Sequence, residues 1–214
     1  MNWNDIREIH SCLPETSKGW HQHSNGGGWV QDTALVSDTA HVSETACVYG
    51  YAYVSENARV YENAIISGNA RVYENARVYG HAHIYGTTLV YGHAHVYENA
   101  IIYENARVYG NVHVYGNAII SGNAHVYENA RVYGHAHVYG HTRVFGNARV
   151  YENARIYGYA LVSGNAIIYE NAFISENAWI YGYARIYGHA HVYGTTRVCG
   201  TVRIYEHTYV SGTA

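Results

Sequence analysis

The chain has 214 residues, a net charge of −3 at neutral pH and only one lysine. It has no broad basic field to hold nucleic acid and no apolar run near the ~18 residues that a membrane-spanning helix needs, so we expect neither a nucleic-acid nor a membrane partner. Three cysteines without a recurring spacing do not predict a disulfide framework. The N-terminus shows no basic segment followed by an apolar one, which favours a cytoplasmic location.

Residues 1–28 are predicted to form an N-terminal cap made of a short helix and a glycine-rich loop. Trp3, Ile6 and Ile9 have the spacing of an amphipathic helix. The stretch from Trp20 to Gly28 is rich in glycine and polar residues, which predicts a loop that leads into the first strand.

Residues 29–214 repeat with a period of six. Val or Ile occupies every sixth position from Val30 to Val210, 31 times in succession, and a small residue, mostly Ala, lies two positions before each. Ala-Arg-Val-Tyr alternates between inward and outward sides like a half-buried strand. Gly-Asn or Glu-Asn then supplies a turn, because Gly and Asn tolerate positive φ at the least cost. Each hexad is therefore predicted to be one strand and one corner, with all the Val and Ile side chains inside.

A longer repeat, nine hexads in length, sets the number of strands in each coil. The tandem copies are residues 57–110, 111–164 and 165–214. An inward threonine recurs at the same place in each copy, as Thr88, Thr142 and Thr196. Such a duplication keeps the faces aligned only if it contains whole coils, and nine hexads divide into coils of three hexads but not into coils of two. We predict three strands per 18-residue coil, about ten coils and, at ~4.8 Å per coil, a rod of roughly 50 Å.

An aliphatic residue at every sixth position, with a small residue four positions after it, resembles the hexapeptide-repeat left-handed parallel β-helix family over residues 29–214. The resemblance implies an all-β, three-sided left-handed solenoid. The left hand comes from the family alone, because the crossover rule for parallel strands favours the right hand. The Tyr-Gly-Asn-Ala arrays are also similar to those of uncharacterised bacterial and phage-borne hexapeptide-repeat proteins.

On the face that contains Val60, tyrosines follow the inward residues and basic residues precede them. The predicted binding face consists of Arg59, Tyr61, Arg77, Tyr79, Tyr97, Tyr115, Arg131, Tyr133, Arg149, Tyr151, Arg185, Tyr187, Arg203 and Tyr205. Tyrosine can stack on aromatic groups and arginine can bind carboxylate or phosphate. The alternative is that like residues merely stack along the solenoid, with Arg lying over Tyr to cover the sheet. Glutamates at the adjoining corners oppose the binding of a nucleic-acid backbone.

The face that contains Ile66 is the least polar, and contiguous apolar surface usually marks an interface. The core is also predicted to be exposed at the end of the repeat, because no cap follows it there. The predicted oligomer contacts are Ile65, Ile101, Ile119, Phe173, Ile204 and Val210. We expect a closed homo-oligomer, a dimer first with a trimer as the alternative, buried partly through residues 196–214.

Sixteen histidines raise the question of a metal site. The weak candidates are His81, His83, His95, His113, His135, His137, His189 and His191. Zinc needs three or four convergent ligands, whereas these histidines are spread along the rod. We therefore predict no metal and no cofactor.

The family resemblance first implies an acyltransferase or a γ-class carbonic anhydrase, which work at clefts between subunits of a trimer. The transferases usually add a protruding loop with a catalytic histidine and a C-terminal helix, whereas this repeat has no insertion. No catalytic residue is predicted. The preferred interpretation is a non-catalytic solenoid scaffold that holds a protein partner on the Tyr/Arg face or the apolar face. A phage-type inhibitor of a host protein is a variant, and an enzyme of the two classes above is the alternative.

Overall fold

The structure, a computed structural model, describes residues 1–212. These residues form one helix, α1 (Trp3–Ile9), and 32 short strands that are numbered β1 to β32 in chain order. The strands belong to three sheets, which form the three sides of one solenoid. The described chain contains no helix with the length and apolar character that crossing a membrane requires.

From β2 onward, every third strand belongs to the same sheet. Sheet 1 contains β1 (Trp20–Gln22), β2 (Trp29–Gln31), β5 (Cys47–Val48), β8 (Ile65–Ile66), β11 (His83–Ile84), β14 (Ile101–Ile102), β17 (Ile119–Ile120), β20 (His137–Val138), β23 (Arg155–Ile156), β26 (Phe173–Ile174), β29 (His191–Gly194) and β32 (Tyr209–Gly212). Sheet 2 contains β4 (His41–Val42), β7 (Arg59–Val60), β10 (Arg77–Val78), β13 (His95–Val96), β16 (His113–Val114), β19 (Arg131–Val132), β22 (Arg149–Val150), β25 (Ile167–Ile168), β28 (Arg185–Ile186) and β31 (Arg203–Ile204). Sheet 3 contains β3 (Leu35–Val36), β6 (Tyr53–Val54), β9 (Arg71–Val72), β12 (Leu89–Val90), β15 (Arg107–Val108), β18 (His125–Val126), β21 (Arg143–Val144), β24 (Leu161–Val162), β27 (Trp179–Ile180) and β30 (Arg197–Val198).

The strand register confirms the predicted coil of three hexads. From β2 onward each strand pairs in parallel with the strand three hexads further along, so that Arg77 lies opposite His95 and His83 opposite Ile101. Three strands per coil and about ten coils follow from this register. The all-β solenoid fold was therefore predicted correctly, and the left hand stays an implication of the family resemblance.

The Val and Ile column forms the core, as predicted. Twenty-nine of the 31 side chains are buried, and the remaining two, Val36 and Val210, are partly buried and pack against the same cluster. Each such side chain contributes roughly 1.5 kcal/mol or more when it leaves water. The core therefore runs the whole length of the coil stack.

The corners differ from the prediction in one detail. From Gly50 to Glu206, positive φ falls on the Gly or Glu of each corner, not on the residue that follows it. Ten glutamates adopt φ between 53° and 62°, a region that costs an L residue about 1 kcal/mol. Part of this cost is offset where the carboxylate accepts a hydrogen bond from the backbone one coil further on. Glu104 accepts from Gly122 N at 2.6 Å, and Glu170 accepts from Gly188 N at 2.8 Å.

Helix α1 forms as predicted and lies against sheet 1. The side chain of Asn2 caps it by accepting hydrogen bonds from two backbone N–H groups of the first turn. Ile6 is fully buried in a cluster that includes Trp29 and Cys47. Ile9 is 40% exposed, so it does not serve as the buried residue that the helical spacing indicated.

The segment between α1 and the first coil is more regular than the predicted loop. Residues Trp20–Gln22 form β1, which pairs antiparallel with β2. The glycine-rich stretch then runs along β4, where Gly28 N donates to Val42 O at 2.9 Å. Gly26 has a φ of +113°, and a Cβ atom there would lie 2.3 Å from Val42 O, so only glycine allows this approach. Whether residues 1–28 act as a cap stays a prediction.

Two inward threonines lack hydrogen-bond partners, which predicts a stabilising substitution. Thr88 and Thr142 are fully buried, and neither Oγ1 atom has a partner within residues 1–212. We expect Thr142→Val to raise the free energy of unfolding by about 1 kcal/mol, because the buried hydroxyl is replaced by a methyl group. Chemical denaturation monitored by circular dichroism measures the change.

Thr196→Val is the matched control. Thr196 occupies the same kind of position, but its hydroxyl donates to Tyr193 O at 2.7 Å. This substitution removes a hydrogen bond and should lower stability. Equal effects of the two substitutions would show that the missing partner is not what costs free energy at Thr142.

Candidate functional site

The predicted binding face lies on sheet 2, where eight tyrosines stack into one continuous ladder. The Tyr ladder is Tyr79, Tyr97, Tyr115, Tyr133, Tyr151, Tyr169, Tyr187 and Tyr205. Neighbouring ring centroids are 4.8 to 5.4 Å apart, and the ring planes are within 15° of parallel. Offset stacking favours this spacing, which matches the rise of one coil. The ladder is therefore a direct product of the register.

The ladder is neutral. Burial, followed by the neighbouring tyrosines, raises the pKa of Tyr97 to about 12, and the same causes raise the pKa of Tyr151 to about 12. The hydroxyl groups thus keep their protons at physiological pH. The middle of sheet 2 presents ring edges and hydroxyl donors rather than charge.

Arginines lie directly before the inward Val and Ile residues in the strands of sheet 2, and they form one edge of the outer face of this sheet. The Arg edge is Arg59, Arg77, Arg131, Arg149, Arg185 and Arg203, all of them exposed. In residues 1–212 the one ion pair joins His21 to Asp32, and the cation–π contacts involve Arg155 and Arg197 instead of the Arg edge. The guanidinium groups of the Arg edge are therefore not tied to carboxylates or laid over ladder rings.

Two histidines interrupt the Arg edge. His95 and His113 stack on each other with ring centroids 5.0 Å apart. Burial is the main cause that lowers the pKa of each ring below its usual 6.5. The neighbouring His113 and Arg77 lower the pKa of His95 further, and Arg131 lowers the pKa of His113 further. Both rings are neutral at pH 7, so the positive charge of this edge comes from its arginines.

The opposite edge of sheet 2 is acidic. Corner glutamates such as Glu98 and Glu152 directly follow ladder tyrosines, and both are exposed. Glu152 accepts a hydrogen bond from Glu170 N at 2.9 Å, which holds its carboxylate along the corner. Across its width, sheet 2 therefore presents a basic edge, an aromatic centre and an acidic edge.

The ladder begins at Tyr79 and does not include Tyr61, although the sequence places Tyr61 in the same column. The hydroxyl of Tyr61 accepts a hydrogen bond from Arg59 Nη1 at 3.1 Å, and its ring is tilted by 48° against His41. One ring face of Tyr79 is thereby left free of a stacked partner among the described residues. An open groove of about 640 Å³ lies there, and Arg77 also lines it.

A second aromatic column on sheet 3 was missed in the sequence interpretation. Tyr73, Tyr91, Tyr109, Tyr127 and Phe145 stack at centroid distances of 4.9 to 5.1 Å. Arg71, Arg107 and Arg143 accompany them. Every eighteenth residue of the sequence, starting from Tyr73, gives this column, so the sequence pattern contained the signal. Because its stack is shorter, sheet 3 serves as an internal comparison for sheet 2.

The predicted oligomer contacts are not all on one surface. Ile101, Ile119 and Phe173 are half-buried on sheet 1, whereas Ile65 is only 5% exposed. Ile204 and Val210 point into the core, and Ile204 is 8% exposed. The predicted contact segment 196–214 includes residues 213 and 214, which lie outside the described residues. Self-association through these residues stays a prediction.

The histidines proposed as weak metal candidates lie at corners and on outward strand positions. His81 is at a corner, where its Nε2 atom lies 3.5 Å from Asn63 Nδ2. His83 is on β11. His189, also at a corner, stacks on His207 at 4.9 Å. The structure brings His95 and His113 together but gathers no group of three or more potential ligands anywhere in residues 1–212.

Comparison with known proteins supports the solenoid assignment. Residues 66–80, 102–116, 114–128 and 142–158 match the repeat family described as YdcK Beta solenoid repeat. The matched segments cover less than a third of the chain and lie within the coils. A search of curated proteins found no matching relative. The chain is therefore similar to β-solenoid repeat proteins.

Proposed function

We propose that this β-solenoid is a non-catalytic binding protein that holds a protein partner on the Tyr ladder and the Arg edge of sheet 2. The observation that carries the proposal is an exposed row of arginines without carboxylate partners beside eight stacked tyrosines. Tyrosine and arginine are enriched at the energetic centres of protein interfaces. Rigid stacking also means that the rings lose little conformational entropy when a partner binds.

The charge pattern across sheet 2 supports a protein over a nucleic acid as the partner. The acidic corners on one edge repel a phosphate backbone, while the Arg edge attracts carboxylates. A protein surface with an acidic row beside an apolar one would complement the Arg edge and the Tyr ladder. A phage-type inhibitor that blocks a host protein is a more specific form of this proposal. An acyltransferase-like or γ-carbonic-anhydrase-like enzyme stays the alternative, without a supporting contact.

Charge reversal on sheet 2 tests the proposal. Arg131→Glu combined with Arg149→Glu should reduce binding of the partner about tenfold or more, because it sets like charges opposite each other. Affinity capture from the native cell extract, with quantitative mass spectrometry, measures the proteins retained by each variant.

The matched control places the same change on sheet 3, as Arg107→Glu combined with Arg143→Glu. The residues of both pairs are exposed, and within each pair they are two coils apart or less. Each double substitution replaces two arginines with two glutamates, so the net charge changes equally. The sheet 3 variant should retain the same proteins as the unchanged chain. Retention by both variants, loss from both, or no specific capture by the unchanged chain would contradict the proposal.

A further inference from the structure

Sheet 1 contains an interrupted tyrosine column in which serine replaces every third ring. Tyr85 stacks on Tyr103, and Tyr139 stacks on Tyr157, both at 5.2 Å between centroids. Ser121 occupies the position between the two pairs. Serine recurs three coils earlier and three coils later, at Ser67 and Ser175. Between Ser67 and Ser175 the column thus consists of two stacked pairs, separated by a gap one residue wide at Ser121.

The gap at Ser121 has the dimensions of one aromatic ring. Tyr103 and Tyr139 are two coils apart, which separates their facing rings by about 10 Å at ~4.8 Å per coil. A planar ring midway would lie about 5 Å from each, within the range of offset stacking. Ser121, which is 6% exposed, and Ile119 form the floor of a cavity of about 430 Å³.

The other two gaps differ from the one at Ser121. Next to Ser67, Tyr49 packs with the apolar cluster under α1. Next to Ser175, the Phe173 ring stacks on His191 at 4.7 Å and has the Arg155 guanidinium 5.4 Å from its centroid. The central gap is the one bounded by two parallel stacked pairs.

The charge at the central gap selects the ligand. Glu104 lies at its rim, where Oε2 accepts a hydrogen bond from Gly122 N at 2.6 Å. His137 also lines the gap, and burial, followed by Arg155, lowers its pKa, so the ring is neutral at pH 7. Arg155 does not line the gap, and its guanidinium group lies 5.4 Å from the Phe173 ring centroid, so Glu104 is the one charged side chain among the lining residues.

We propose that the gap at Ser121 binds a small aromatic amine, with its ring between Tyr103 and Tyr139 and its ammonium group near Glu104. Two stacking partners and one carboxylate recognise a flat ring with a positive charge, and they disfavour an anionic ring of the same shape. This site is on sheet 1 and does not depend on the sheet 2 partner proposed above. The two proposals can therefore fail separately.

Titration with tyramine, followed by saturation-transfer NMR and calorimetry, tests the site. Ser121→Tyr should fill the gap and weaken binding about tenfold or more, because the inserted ring takes both stacking positions. It should not disturb the fold, since tyrosine already occupies the neighbouring positions of the column. Ser163→Tyr is the control, because Ser163 is a similarly buried outward serine on sheet 3.

Two further measurements separate stacking from charge. Tyr103→Ser removes one wall and should also weaken tyramine binding. 4-Hydroxyphenylacetate, which carries a negative charge on a similar ring, should bind more weakly than tyramine. The proposal is overturned by an absence of saturable tyramine binding, by equal binding to the Ser121→Tyr and Ser163→Tyr variants, by undiminished binding to the Tyr103→Ser variant, or by equal or tighter binding of the anion.

Discussion

Val126→Asp should destabilise the solenoid by about 4 kcal/mol or more, because it buries an unpaired carboxylate in a continuous apolar core. Val126 is fully buried in the middle of the coil stack, where neither end of the rod gives a route to water. Its side chain contacts the same inward column one coil above and below, through Val108 and Val144. Urea denaturation monitored by circular dichroism measures the loss.

His125→Asp provides the control on the same strand. His125 points outward and is half-buried, so a carboxylate there stays in contact with water. We expect a change below about 1 kcal/mol, as for other surface substitutions. A similar loss from both substitutions would mean that inward and outward positions do not alternate as described.

A deletion that keeps the coil register should have a small effect, whereas a deletion that breaks it should have an even larger effect than Val126→Asp. Removing residues 109–126, which make one coil, leaves every strand in register and should give a folded, slightly shorter solenoid. Removing residues 118–126 shifts the chain by half a coil and turns Tyr127 and Asn129 inward. Because that shift continues through all later coils, the second deletion should prevent folding.

Thermal melting and size-exclusion chromatography distinguish the two deletions. The whole-coil deletion should melt cooperatively, with a modest loss of stability from one missing coil interface. The half-coil deletion should aggregate or lack a transition. A cooperative, monodisperse product of the half-coil deletion would contradict the continuous alternation of inward and outward positions along the coils.

The strand register could be predicted from the sequence because hexads alternate inward and outward without an insertion. Val30 to Val210 kept one phase, and the duplication of nine hexads fixed three hexads per coil. The corner backbone was predicted less well. Glu took positive φ at ten corners, and at some of them its carboxylate accepts a hydrogen bond from the next coil, as at Glu104, an interaction that a ranking of turn residues does not include.

Side-chain orientation on the outer faces could be predicted only in part. Periodicity placed Tyr61 in the ladder column, but hydrogen bonding to Arg59 and contact with His41 turn its ring away. Ile65 belongs to an apolar column, yet it is buried next to Cys47, in the region where α1 packs on sheet 1. The contact of Tyr61 with His41 and the burial of Ile65 next to Cys47 both join different coils, and a repeat pattern does not contain such contacts.

Photo-crosslinking from each sheet tests most directly whether sheet 2 is the binding surface. Benzoylphenylalanine would replace Tyr133 on sheet 2, Tyr109 on sheet 3 or Tyr157 on sheet 1, all of which are half-buried tyrosines in stacks. After irradiation in the native cell extract, a specific adduct should form from position 133 and be absent or much weaker from the other two. Adducts that form equally from all three positions, or mainly from position 109 or 157, would contradict a protein-binding role for the Tyr ladder.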